Sequence, residues 1–165
     1  MALPIDGRLR RIGFVLGIGA VVVAIDQLTK SWAVGRLANR SIEVVWTLRL
    51  KLELNPGIAF SLGQGSTRLV TIGAVLVLSA VVVTAWRTSG RLLAVALGLV
   101  VGGAAGNLAD RLFRHNGGRV IDFIDLRWWP VFNVADMAVS CGVVLALAVG
   151  FLSDQPSRTS DAGTG

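Results

Sequence analysis

The stretch VADMAVSCGVVLALAVGFL, residues 134–152, contains a single charged residue, Asp136, close to its start. Nine of its positions are Val, Leu or Phe. At ~0.3–0.6 kcal/mol each on insertion scales, they contribute about 4 kcal/mol toward membrane insertion. An Asp at the centre of a membrane helix costs about 2.5–3.5 kcal/mol, and less near the interface. The segment therefore reads as a membrane span that carries Asp136 one turn inside its start with little to spare. Uncharged runs of 18 residues at 69–86 and at 92–109 are also long enough to span. A run of 14 at 12–25 is shorter and follows Arg8, Arg10 and Arg11, the outline of a signal-peptide core. No A-x-A cleavage pattern follows it. Helical continuation through Asp26 and Lys30 to about Val34 turns it into an uncleaved span.

These runs predict an all-α membrane protein: a four-transmembrane-helix bundle with spans near 12–34, 69–86, 92–109 and 132–152, forming one membrane domain over residues 1–153. Composition agrees. The chain of 165 residues is 53% apolar and only 16% charged, with a mean hydropathy of +0.68. Soluble chains average about 25% charged. The net charge of +6 in so apolar a chain favours anionic lipid headgroups as partners, not nucleic acid. One cysteine excludes an internal disulfide, and one histidine beside it excludes a His/Cys zinc site. No metal or organic cofactor is expected.

Outside the spans, Leu48, Leu50, Leu52 and Leu54 alternate with Arg49, Lys51 and Glu53, the period of a half-buried strand, and Asn55-Pro56-Gly57 supplies a turn. This predicts a small extramembrane β cradle on the outer face, resting on the membrane with Trp46 as an interface anchor. The polar tail 154–165 is expected to be disordered and cytoplasmic. Both termini are assigned to the cytoplasm from the basic N-terminus and the basic turn Arg87–Arg91, although ten of the 16 basic residues then fall outside. Glycines four apart, at Gly13 and Gly17 and at Gly98, Gly102 and Gly106, mark helix faces suited to close packing, within the bundle or between copies.

Asp136 admits two readings. With Asn133 as N-cap it occupies the third helical position, where a carboxylate complements the helix dipole. Alternatively it acts with Asp122, in the apolar run Val120-Ile121-Asp122-Phe123-Ile124-Asp125 just outside the membrane. Two carboxylates in one site share a proton, activate a water against an amide carbonyl and protonate the leaving nitrogen. Asn107, Asp110 and Arg111 share a face at the outer end of the third span. Asp26 and Lys30 do the same on the first, either as a surface ion pair or as part of the same site. Lys30-Ser31 is no Ser–Lys dyad, because adjacent helical side chains diverge. His115 reads as a solvated turn residue and Cys141 as a packed core residue.

Five blocks carry a resemblance: Asp26-Gln27-Leu28-Thr29-Lys30; Asn55-Pro56-Gly57-Ile58-Ala59-Phe60-Ser61; Gly102-Gly103-Ala104-Ala105-Gly106-Asn107-Leu108-Ala109-Asp110-Arg111; Val120-Ile121-Asp122-Phe123-Ile124-Asp125; and Phe132-Asn133-Val134-Ala135-Asp136. In this order, across residues 26–136, the chain resembles the bacterial lipoprotein signal peptidases (signal peptidase II). Met137 stands where a small residue is common. The resemblance implies a multi-pass aspartic endopeptidase of the bacterial inner membrane with its site at the outer face. Its substrate would be a diacylglyceryl-modified prolipoprotein, cut just before the lipidated cysteine. Asp122 and Asp136 would be the catalytic dyad; Asp26, Lys30, Asn55, Gly57, Asn107, Asp110, Arg111 and Asn133 would orient it or bind substrate. A monomer surrounded by membrane lipids is expected. The competing reading is a small proton- or ion-coupled transporter using the acids as a relay. Transporters, however, place such groups near the midplane between repeated halves, and no internal repeat is visible here.

Overall fold

The computed structural model describes residues 5–57 and 90–153 and, between them, 72–73, 75–76, 79–80 and 83. Helix α1 (Ile5–Leu37) leads into strands β1 (Ile42–Val45) and β2 (Leu48–Asn55). Helix α2 (Arg91–Phe113), strand β3 (Val120–Asp125) and helix α3 (Val134–Ser153) follow. Among the described residues three helices are long and apolar enough to cross a membrane, over Asp6–Leu37, Arg91–Phe113 and Val134–Leu152. The expected span at 69–86 lies mostly outside the described residues; Ile72, Gly73, Val75, Leu76, Ser79, Ala80 and Val83 within it are helical. The tail 154–165 lies outside them altogether.

α1 runs for 33 residues, or about 50 Å at 1.5 Å per residue, against a hydrocarbon core of about 30 Å. It begins well before the uncharged run and takes in Arg8, Arg10 and Arg11. Charge gaps report the apolar stretch of a helix, while the helix itself continues into the interface where arginines are solvated.

α2 packs against α1 and α3 through glycine. A Cβ on Gly98 would lie 2.7 Å from Ile18, and one on Gly102 2.6 Å from Val22, which brings α2 against α1. On α2's other flank Gly103 faces the Ala135 carbonyl, and a Cβ added to Gly142 of α3 would lie 2.7 Å from the Ala96 carbonyl oxygen. Backbones that approach this closely leave no room for a side chain. Gly13 and Gly17 meet no neighbour within 4 Å among the described residues, so their spacing does not mark the α1–α2 seam; Gly19 lies on it instead. Val15, Ala94, Leu97 and Val101 fill the rest of that seam.

The three strands form one antiparallel sheet in the order β1-β2-β3. The alternating leucines lie on β2, the central strand. Leu50 and Leu52, with Ile42, Ile124 and Val134, pack on Ala33, Leu37 and Phe123, docking the sheet onto the end of α1. Trp46 sits at the β1–β2 turn with φ of 46° and is 96% exposed.

β3 continues the architecture toward α3. After it the chain turns at Arg127, whose N–H donates to the Asp125 carboxylate at 2.7 Å, and folds back. The Phe132 N–H donates to the Ile124 carbonyl at 3.0 Å, and the Ile124 N–H to the Phe132 carbonyl at 2.9 Å. That single antiparallel bridge carries Asn133 to the side of β3 and starts α3 there.

Candidate active site

Asn133 is fully buried and joins the two acids. Its side-chain NH2 donates to Asp122 Oδ1 at 2.6 Å and to Asn107 Oδ1 at 3.1 Å. Its Oδ1 accepts the Asp136 backbone N–H at 2.9 Å, while Asp136 Oδ2 accepts the Asn133 N–H at 3.2 Å. This reciprocal pair is a capping box. The capping reading of Asp136 is thus correct as geometry. It leaves the other carboxylate oxygen, Oδ1, facing Asn107, whose Nδ2 donates to it at 2.7 Å.

Asp122 is held from the opposite side. Gly57, at φ of 98°, closes a tight turn in which its N–H donates to Asn55 Oδ1 at 2.8 Å. That fixes the Asn55 amide, so Nδ2 donates to Asp122 Oδ2 at 2.8 Å. Burial raises the Asp122 carboxyl from its ordinary 3.8 to about 6. The hydrogen bond from Asn55 opposes the rise, the charge of Asp136 adds to it, and Asn133 and Lys30 oppose it. Asp125, three residues further along β3, is pulled the other way, below the usual carboxylate range, chiefly by its hydrogen bonds from Arg49.

A second layer lies beneath. Lys30, fully buried, spends its three N–H donors on Asp26 Oδ2 at 2.9 Å, Asp110 Oδ2 at 3.0 Å and Asn107 Oδ1 at 2.9 Å. The surface ion-pair reading of Asp26–Lys30 is therefore corrected: both side chains are 0% exposed. Each acid does backbone work as well. Asp26 Oδ1 accepts the Ala135 N–H at 3.0 Å, capping α3 from α1, and Asp110 Oδ2 accepts the Ile121 N–H at 2.9 Å, tying α2 to β3. Gly106 leaves space for the Asp26 carboxylate. Such a cluster is tolerable in a dry interior because every donor and acceptor is matched.

Arg111 lies at the edge of both layers. Its Nη1 donates to the Asn107 carbonyl at 3.2 Å, and its buried Nε has no hydrogen-bond partner among the described residues. All ten residues singled out from the sequence thus fall in one continuous polar network.

Two members were missed. Gln27 donates to the Gly106 carbonyl at 3.1 Å and to Asp110 Oδ1 at 2.9 Å, and it accepts from Arg114, whose guanidinium also reaches Ser31 Oγ at 3.0 Å. Arg114 stands four residues after Asp110, the spacing of a helical ion pair, and that was the available signal.

A cavity of about 400 Å³ opens beside Asp136, lined by Leu126, Trp128, Trp129, Phe132 and Met137. Cys141 lies on its wall and is exposed, contrary to the expectation of a packed core residue. In a membrane helix a thiol is equally compatible with lipid, so apolar surroundings in sequence do not imply packing. His115 is exposed, as its turn sequence predicted.

The model of the family described as Signal peptidase (SPase) II matches residues 18–152. The chain belongs to the signal peptidase II family. The lipoprotein signal peptidase of Rhodococcus jostii is 41% identical over 161 residues, covering 94% of this chain and 80% of that protein. That of Syntrophomonas wolfei is 43% identical over 135 residues, covering 80% and 89%. Among solved structures, a bacterial membrane enzyme determined by the in meso method at 1.9 Å superposes with a TM-score of 0.76 at 30% identity, covering 87% of this chain and 96% of that one. A second, at 2.3 Å, gives 0.74 at 28% identity. The signal peptidase described here is accordingly an integral membrane protein, and the transporter reading of its acids finds no support among these relatives.

Proposed function

We propose that this signal peptidase is an aspartic endopeptidase in which Asp122 and Asp136 hold one water and one proton between them. In that role one carboxylate takes a proton from the water as it attacks the scissile carbonyl, and the protonated partner then supplies a proton to the leaving nitrogen. The substrate is a lipoprotein precursor carrying a diacylglyceryl group, cut just before the lipid-bearing cysteine. The observation that carries this reading is the Asn133 amide, which hydrogen-bonds Asp122 while its oxygen caps the helix that bears Asp136.

The remaining residues follow from their bonds. Asn107, Asn133, Asn55 and Gly57 orient the carboxylates. Asp26, Lys30 and Asp110 keep α1, α2, β3 and α3 in register beneath them. Arg111 offers its Nε toward the substrate backbone. The apolar cavity beside Asp136 receives the hydrophobic flank of the substrate, and the exposed Trp128 and Trp129 sit at the depth of the lipid headgroups. The chain works as a monomer in the bacterial inner membrane, its site toward the outer face and both termini in the cytoplasm.

The test is digestion of two purified precursors, one carrying the diacylglyceryl group and one without it, with the cut site read by mass spectrometry. The lipidated form should be cut immediately before its cysteine and at least tenfold faster. Equal rates, or a cut elsewhere, would overturn the substrate assignment.

A further inference from the structure

At the end of the bundle away from the carboxylates, Arg10, Arg11 and Phe14 of α1, Arg91 and Ala94 of α2 and its N-cap Gly90 line an open cavity of about 680 Å³. Arg11 Nη2 donates to the Gly90 carbonyl at 3.3 Å, which pins its guanidinium at the junction of the two helices. At Gly90, with φ of 118°, an added Cβ would meet nothing within 4 Å among the described residues.

The start of α2 adds to this positive field. Gly90 as N-cap offers no side-chain hydrogen bond, and no acid lies in the first turn. A helix N-terminus ordinarily has a capping oxygen or a carboxylate against its orphan N–H groups and positive dipole end. Here the charged residues around that end are Arg10, Arg11 and Arg91. Asp6, one turn before Arg10, is exposed, and among the described residues no carboxylate pairs with Arg10 or Arg91. The walls below the arginines, Phe14 and Ala94, are apolar. An anionic head above an apolar tail is the ligand shape these walls fit.

Depth points the same way. From Arg10 to Asp26, and again from Arg91 to Asn107, the helices rise about 24 Å. Two helices thus independently set the cavity most of one hydrocarbon thickness from the polar network, at the opposite membrane interface.

We propose that this cavity binds the phosphodiester headgroup of an anionic phospholipid in the leaflet opposite the carboxylates, with Arg10, Arg11 and Arg91 around the phosphate and Phe14 and Ala94 against the first acyl carbons. Basic pockets between membrane helices are suited to such headgroups.

The experiment uses the detergent-purified full chain and native mass spectrometry, with phosphatidylglycerol, phosphatidylcholine and inorganic phosphate as parallel probes. Wild type should retain one phosphatidylglycerol in clear preference to phosphatidylcholine, with inorganic phosphate a weak competitor. Arg10→Gln and Arg91→Gln should each weaken retention about fivefold, leaving lipid-free melting and precursor cleavage in detergent unchanged. Arg11 is kept in both variants, so the α1–α2 junction stays intact. Equal retention of the two lipids, or undiminished phosphatidylglycerol binding in both variants, overturns the site. Inorganic phosphate competing as strongly as the lipid reassigns it to a soluble anion and overturns the lipid claim.

Discussion

Asn133 uses one amide for two tasks: its nitrogen holds Asp122 and its oxygen caps the helix that bears Asp136. Asp122 also takes a hydrogen bond from Asn55, and burial lifts its carboxyl to about 6. If Asp122 carries the shared proton, kcat/KM should fall about tenfold per pH unit above about 6, since this parameter reports ionisations of the free enzyme. In Asn55→Ala a donor that favours the anion is gone, so that alkaline limb should move to higher pH. A pH–rate profile of the two proteins checks this; a limb that stays in place or moves down would count against the assignment. Stability has its own sign. The folded state binds this proton more tightly than the unfolded chain, so the contribution of Asp122 to stability declines as pH rises from about 4 to about 6.

At the scale of elements, glycine sets how closely the helices approach. A Cβ on Gly106 would lie 2.6 Å from Asp26 Oδ2, and that carboxylate is tied to both Lys30 and the Ala135 N–H. Gly→Ala within a helix ordinarily gains up to about 1 kcal/mol. Gly106→Ala should instead lose about 1–3 kcal/mol through overpacking and slow cleavage at least tenfold as α3 loses its cross-helix cap. Thermal melting in detergent and precursor turnover measure both effects. An unchanged or raised melting temperature would show that the Asp26 contact is not tight. The glycines at 98, 102 and 106 were legible because a four-residue spacing shows on one helix. Gly103 and Gly142 were not, because neither has a glycine four residues away on its own helix, although each meets a backbone carbonyl of a neighbouring helix, at Ala135 and Ala96. The same division holds for the strands. β2 announced itself by alternating Leu and charge. β3, enclosed on both faces, reads as an unbroken apolar run around Asp122, and such runs do not declare their period. Gln27 and Arg114 escaped notice for a related reason, since neither breaks a hydrophobic pattern and the bonds that place them, Gln27 to Asp110 and Arg114 to Gln27, run across 83 and 87 positions of chain.

At the scale of the whole molecule, each acid arrives on a different support. Asp122 comes on the edge of a sheet docked to α1 through Phe123, Ala33 and Leu37, and Asp136 on the first turn of a helix capped by Asp26. The bridge between Ile124 and Phe132 joins the two supports. Much of this convergence was legible because the five sequence blocks hold all of its polar members except Arg114 and Ser31. What they could not convey was the layering: the buried Lys30 node beneath, the carboxylates and their asparagines above. That layering lets a variant at either of these carboxylates remain folded, since Asp122 and Asp136 are held by neutral amides while the ion pairs lie on other residues. The most direct measurement is therefore turnover of a lipidated precursor by purified Asp122→Asn and Asp136→Asn, each matched to wild type in melting temperature. Both variants should cleave at least a thousandfold more slowly than wild type while remaining folded. Turnover near the wild-type rate in either one would contradict a shared role for the two carboxylates.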